Sequence, residues 1–156
     1  MPDHPEIYRS QAEGYEALVS REDYPGNLLP AIQKIASLSG KKVVEFGAGT
    51  GRLTCQMAPL VESIQAFDIS QHMLATAIQK LSQSGLTNWQ AETADHRKVP
   101  AADQSADLVI SGWSVCYIVV DHPNAWREEV DKVLDEMQRV LVPGGKIILI
   151  ETLGTG

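Results

Sequence analysis

The sequence predicts an α/β chain built on one doubly wound parallel sheet of about five strands, with helices on both faces and an N-terminal helical arm. Three observations carry that prediction. Apolar runs of strand length, around residues 43–46, 63–67, 106–113 and 146–150, alternate with stretches of helical spacing. The runs LVI (108–110) and IILI (147–150) are continuous, as expected of parallel strands buried on both faces. The first run also passes into a glycine-rich turn, Gly47, Gly49 and Gly51, and then into a helix, which makes a nucleotide-type strand–turn–helix unit.

One domain is the natural reading of 156 residues, of which 44% are hydrophobic and 21% charged. A net charge of −7 and the absence of a basic run disfavour a general nucleic-acid surface. The start, MPDHPEIY, lacks the pattern of a signal peptide, and no apolar stretch approaches the roughly 20 residues of a membrane span. Cys55 and Cys116 stand far apart without a CxxC, so a cytoplasmic chain with reduced thiols is expected. The histidines at 4, 72, 96 and 122 are scattered, and no metal site is expected from them.

Residues 1–40 form the predicted arm, with two helices. Ile7, Tyr8, Ala12, Tyr15, Leu18 and Val19 share one helical face, and REDYPGN (21–27) breaks the chain. The second helix starts near Leu28 and lines one side with Leu29, Ile32, Ile35, Ala36 and Leu38 before Ser39-Gly40 stops it. Residues 41–156 form the core. After the first strand, glycines without a Cβ let backbone approach a ligand, and the helix from Arg52 turns its free N–H groups toward the loop.

The second strand closes with Asp68, at the C-terminal end of a strand and about twenty residues past the first glycine, where one carboxylate accepts from both ribose hydroxyls. The plainer role is a cap, although Ser70 already suits the N-cap of the next helix. Met73, Leu74, Ala77, Ile78 and Leu81 give that helix a buried face, and Gly85 ends it. A short third strand is placed at 88–92. The fourth, 106–113, brings Ser111, Gly112, Trp113 and Ser114 to the carboxyl edge, where open α/β sheets bind ligands. Asp107 at its start reads as structural. Pro123 is placed in the first turn of a long helix whose core face is Trp126, Val130, Val133, Leu134, Met137, Val140 and Leu141, with Glu128, Glu129 and Lys132 solvated. VPGG (142–145) ends it in a tight turn before the doubly buried fifth strand.

The string EFGAGTG resembles the first motif of the class I S-adenosylmethionine (SAM)-dependent methyltransferases, an acidic residue, any residue, then GxGxG, at Glu45, Gly47, Gly49 and Gly51. RVLVPGGKIILIE is similar to the same family's post-helix turn and fifth strand. The resemblance covers about residues 41–151 and implies a Rossmann-like sheet of order 3-2-1-4-5, with SAM as cofactor and S-adenosylhomocysteine (SAH) as product. It implies that Glu45 meets the methionine ammonium, Asp68 the ribose and Asp95 the adenine amine, with His96 at the ring's edge. Trp113 lies beside the methionine part or fills the loop's core, and Tyr15 lids the pocket or simply packs. Ala48, Ile69, Met73 and Ser111 complete the implied contacts.

The implied reaction moves a methyl group to an unidentified small-molecule acceptor. Orientation is then the protein's main task, and a base is needed only for a nucleophile holding a proton of high pKa. No catalytic residue is evident. Two other classes stay open, a SAM-binding module without turnover and an NAD(P)-binding oxidoreductase. Against the latter, Arg52 occupies the place of the fingerprint's third glycine. The resembled fold continues beyond its fifth strand, so a longer parent protein is expected, as is a homodimer through the open KIILI edge.

Overall fold

A computed structural model of the chain describes residues 12–23 and 25–152. Ile7 and Tyr8 of the first expected helix, Tyr24 of the first turn and Leu153 beyond the expected edge lie outside the described residues. The elements are α1 (Ala12–Glu22), α2 (Leu28–Ile35), β1 (Lys42–Phe46), α3 (Arg52–Met57) with a 3-10 turn (Ala58–Leu60), β2 (Ser63–Asp68), α4 (Gln71–Gln83), β3 (Trp89–Thr93), β4 (Ala106–Gly112), α5 (Val115–Asp121), α6 (Trp126–Val140) and β5 (Leu141–Ile150). The strands form one parallel sheet of order β3-β2-β1-β4-β5, as the resemblance implied.

Alternation along the central strands builds two cores. Val43, Ile64, Leu108, Ile110 and Ile148 pack with Ile32 of α2 and Leu53 and Met57 of α3 on one face. Val44, Phe46, Phe67 and Val109 meet Val133, Met137 and Val140 of α6 on the other. Both faces are covered, which is why β1 and β4 are apolar almost throughout. Asp107 is structural, as expected: its Oδ2 accepts from the Lys42 N–H at 2.9 Å and ties the start of β4 to β1.

Several local expectations differ. Leu18 and Ile35 are largely exposed, and α2 stops at Ile35 because Ala36 turns extended. Leu38 still reaches the core, but from beyond the helix. Asp23 starts α2 by accepting from the N–H groups of Asn27 and Leu28 at 2.8 and 3.1 Å. Residues 115–121 form α5, and Pro123 precedes α6 without entering it. Glu129 is not solvated. It is buried against Arg97 and Lys132 at 2.6 and 2.7 Å. The VPGG turn is a bulge inside β5: Leu141 pairs with Ala106, pairing shifts, and Lys146 resumes opposite Leu108. Of β5 only Ile148 is deeply buried, while Leu149 stays exposed, as suits an edge strand.

Candidate functional site

The order of the sheet reverses between β1 and β4, and a cavity of about 470 Å³ opens at the carboxyl ends of these strands. Its walls come from the glycine loop, the ends of β2 and β4, the loop after β3, α1 and α5.

The three glycines of the loop have different physical reasons. A Cβ on Gly47 would sit 2.1 Å from Ser114 Oγ, and one on Gly51 2.9 Å from the Ala77 Cβ of α4. Those two exist because neighbouring elements press on the loop. Gly49 has φ +53° and nothing within 4 Å of its Cβ position, so it alone offers bare backbone to open space. The loop is pinned to β2 by the N–H groups of Gly47 and Ala48, which both donate to the Phe67 carbonyl at 2.8 and 3.0 Å.

Asp68 organises the same corner. One carboxylate oxygen accepts from the Gly49 N–H and the other from the Ser70 N–H, each at 2.7 Å. Ser70 caps α4, its Oγ accepting from the Met73 N–H at 3.3 Å. Asp68 therefore joins the glycine loop to the turn before α4, and retains lone pairs on the cavity side.

Glu45, only 1% exposed, underlies the loop with its Oε2 accepting from the Thr54 hydroxyl at 2.5 Å. Burial pushes its carboxyl up to about 7; the Thr54 hydrogen bond opposes that rise, and the charge of Asp68 adds to it. At neutral pH this acid is poised between its two forms.

Asp95 is already committed to a partner. Arg97 grips it through Nε and Nη2 at 2.9 and 2.6 Å, and Nη1 reaches Glu129 of α6 at 2.6 Å. The Arg97 hydrogen bonds hold the Asp95 carboxyl at about 2. His96 runs beneath Gly47, its Nδ1 3.3 Å from Ser114 Oγ and its ring edge-on to Phe46. Burial depresses its basicity, and its Nε2 is enclosed without a partner among the described residues.

Tyr15, Glu45, Gly47, Ala48, Gly49, Asp68, Ile69, Asp95, His96 and Trp113 all line the cavity, from five separate segments of the chain. Gly51, Met73 and Ser111 do not. Gly51 faces Ala77, while Met73 and Ser111 have no exposed surface and lie beneath the wall. Sequence reasoning missed Arg52 as a wall residue. Its guanidinium lies 4.2 Å from the centre of the Trp113 ring and 2.8 Å from Glu22 of α1. Trp113, at φ +53°, in turn donates its indole N–H to Thr152 at 3.0 Å. These partners are distant in sequence, and no local pattern announces them. Tyr117, Ile118 and Asp121 of α5 and His122 just after it complete the wall, and sequence reasoning missed them too.

The profile of a family described as a methyltransferase domain matches residues 44–149. Among curated proteins, the chain is 33% identical over 121 residues to a biotin biosynthesis bifunctional protein of Cellvibrio japonicus, covering 78% of the chain and 21% of that protein. It is 30% identical over 117 residues to a demethylmenaquinone methyltransferase of Clavibacter sepedonicus, covering 75% of the chain and 43% of the relative. The chain thus spans less than half the length of both relatives. A solved structure described as a putative S-adenosyl-L-methionine-dependent methyltransferase from Methanococcus maripaludis superposes with a TM-score of 0.79 at 23% identity, over 96% of this chain and 66% of that one.

Proposed function

Because the chain belongs to the methyltransferase domain family, the class I SAM-dependent enzymes its sequence resembles, we propose that it binds SAM in this cavity and methylates a small-molecule acceptor. The observation that carries the reading is the single bare backbone position, Gly49, beside two acids of opposite suitability. Glu45 is matched to an ammonium and Asp68 to a pair of hydroxyls. The cofactor supplies an activated methyl group on a sulfonium.

The chain's own residues bind and orient. Gly49 admits the amino-acid end, Glu45 anchors its ammonium, and Asp68 holds the ribose hydroxyls. Ile69, exposed at 67%, offers an apolar shelf for the base. Asp95, with most of its capacity spent on Arg97, keeps a lone pair for an exocyclic amine. His96 forms the floor, and Trp113 and Tyr15 the walls. Within the expected arm of residues 1–40, α1 acts in this reading as a cap over the core from residue 41. We place the protein in the cytoplasm: among the described residues no helix is long and apolar enough to cross a membrane, and Cys55 and Cys116 are free.

The test of the whole reading is calorimetric titration with SAH and NADH in parallel, followed by labelled SAM against panels of small acceptors. Tight SAH binding and no NADH binding are expected. The reverse would move the chain to the oxidoreductases, and SAH binding without turnover on any acceptor would leave a binding module.

Asp68→Ala is expected to weaken SAH binding by about 1.5–3 kcal/mol, the worth of hydrogen bonds to a charged group. It is also expected to lower Tm, since the N–H groups of Gly49 and Ser70 lose their acceptor. Calorimetry alongside a melting curve separates the two effects. Unchanged SAH affinity would remove Asp68 from the site.

The outer edge of β5 has no strand partner among the described residues, and its unpaired N–H and C=O groups favour pairing with a second copy. A dimer that dissociates on dilution is expected by light scattering, weakened by Leu149→Lys. Leu149 is the position to change, because Ile148 packs in the core. A chain that stays monomeric at high concentration would overturn the edge dimer.

A further inference from the structure

We propose that the acceptor taken by this cavity carries no anionic group and is a neutral or cationic molecule with an apolar ring, held between α1 and α5. The inference rests on the methyltransferase reading and concerns the part of the cavity away from the glycine loop. There the wall is made by Tyr15 and Leu18 of α1, Trp113 after β4, and Tyr117, Ile118 and Asp121 of α5. Three aromatic rings and two aliphatic side chains favour a flat apolar body.

Charge decides the rest. Only two arginines and no lysine line the cavity among the described residues, and neither arginine is free. Arg52 is paired with Glu22 at 2.8 Å, and the face of its guanidinium is taken by Trp113 at 4.2 Å. Glu22 neutralises its charge through Nη1, so an acceptor carboxylate or phosphate reaching its remaining N–H groups would lie beside that carboxylate. Arg97 serves two carboxylates at once, Asp95 and Glu129, each with a 2.6 Å contact. The wall also holds Asp121, which has no ion-pair partner among the described residues, while Asp68 adds a further acid toward the glycine loop. An anion entering here meets acids and finds no unspent cation to replace its hydration. A cation or a neutral hydroxyl meets no such cost. Glu22 is therefore a specificity residue acting through Arg52: it neutralises the one guanidinium that stands at the acceptor end.

Three probes sharing one ring system test this: naphthol, naphthylmethylamine and naphthoate. Each is titrated calorimetrically into the SAH-saturated chain at about pH 8, where the carboxylate probe is an anion and the amine probe a cation. The neutral and cationic probes are expected to bind at least roughly tenfold more tightly than naphthoate, a gap of about 1.4 kcal/mol. Glu22→Gln frees Arg52 and is expected to strengthen naphthoate binding alone, narrowing that gap. Glu22 is half exposed at the end of α1, so the variant is expected to fold, and its SAH affinity and melting curve verify this. Naphthoate binding as tightly as naphthol in the wild-type chain would overturn the proposal. So would a gap that Glu22→Gln leaves unchanged, or SAH binding with no binding of any probe. A chain that fails to bind SAH at all overturns the methyltransferase reading itself, and the acceptor class falls with it.

Discussion

Gly49→Val is expected to abolish SAH binding, raising Kd by about a hundredfold or more, which corresponds to about 2.7 kcal/mol. The neighbouring glycines are required by protein packing, against Ser114 and Ala77, whereas Gly49 lines the cavity and its Cβ position meets nothing within 4 Å. A valine there puts two methyl groups where the ligand's backbone contact has to form. The left-handed φ of +53° adds strain of about 1–3 kcal/mol for a β-branched residue, so Tm falls as well. Gly49→Ala separates the two causes, because it carries a similar backbone strain with one methyl group. Its Tm is expected to drop nearly as far, with a smaller loss of binding. Wild-type affinity in Gly49→Val, measured by calorimetry, would show that the ligand does not cross the loop at this point.

The second large effect concerns Glu45 and pH. Its carboxyl in the folded chain stands at about 7, above the ordinary 4.5, because burial disfavours the ionised form. The folded state therefore holds this proton more tightly than the unfolded state. The stabilisation that follows is complete below about pH 4.5 and is lost as pH rises through about 7, and it amounts to about 3 kcal/mol. Above pH 7 the ligand-free chain bears an ionised, buried acid with one hydroxyl for company. Glu45→Gln keeps an acceptor for Thr54 and removes that charge. The variant is expected to be more stable than wild type above about pH 7 and equal to it in acid, as read by denaturant titration at several pH values.

Ligand binding runs the other way. If the ionised carboxylate pairs with the ammonium of SAH, affinity is expected to fall roughly tenfold per pH unit below about 7 and to level off above it. Binding near pH 6 then releases a proton, visible as a dependence of the calorimetric heat on the buffer's ionisation enthalpy. Glu45→Gln is expected to bind weakly and without that pH slope. A wild-type affinity that is flat from about pH 5.5 to 8 would take the ammonium away from Glu45. The stability measurement would stand regardless, since it concerns the chain without ligand, where burial is the largest cause of the shift.

Much of the fold was legible because its causes are local. The apolar runs at Val43, Ile64 and Val109 name strands buried on both faces, and the glycine triplet marks the loop between strand and helix. The order of the strands came from resemblance to a family, and the register of the sheet agrees with it. Of the site, the glycine loop and Asp68 were nameable from spacing and motif and Asp95 from the family resemblance, and they do converge on one cavity.

What only the tertiary structure decided is which partner each of those residues meets. Spacing could not show that Asp95 is gripped by an arginine anchored on α6, nor that Asp68 holds two backbone N–H groups. It could not tell the open Gly49 from Gly47 and Gly51, which are shaped by side chains from other elements. The clasp of Glu22, Arg52 and Trp113 joins residues from three separate parts of the chain, and with it the charge at that end of the cavity is set. Periodicity and turn chemistry act over a few neighbouring residues, so the sequence by itself determined most of the elements and the glycine loop, and the strand order came with the family resemblance. Desolvation and ion pairing act through space between segments that meet only after folding, and for that reason the protonation of Glu45 and the free charge of the cavity belong to the tertiary structure alone.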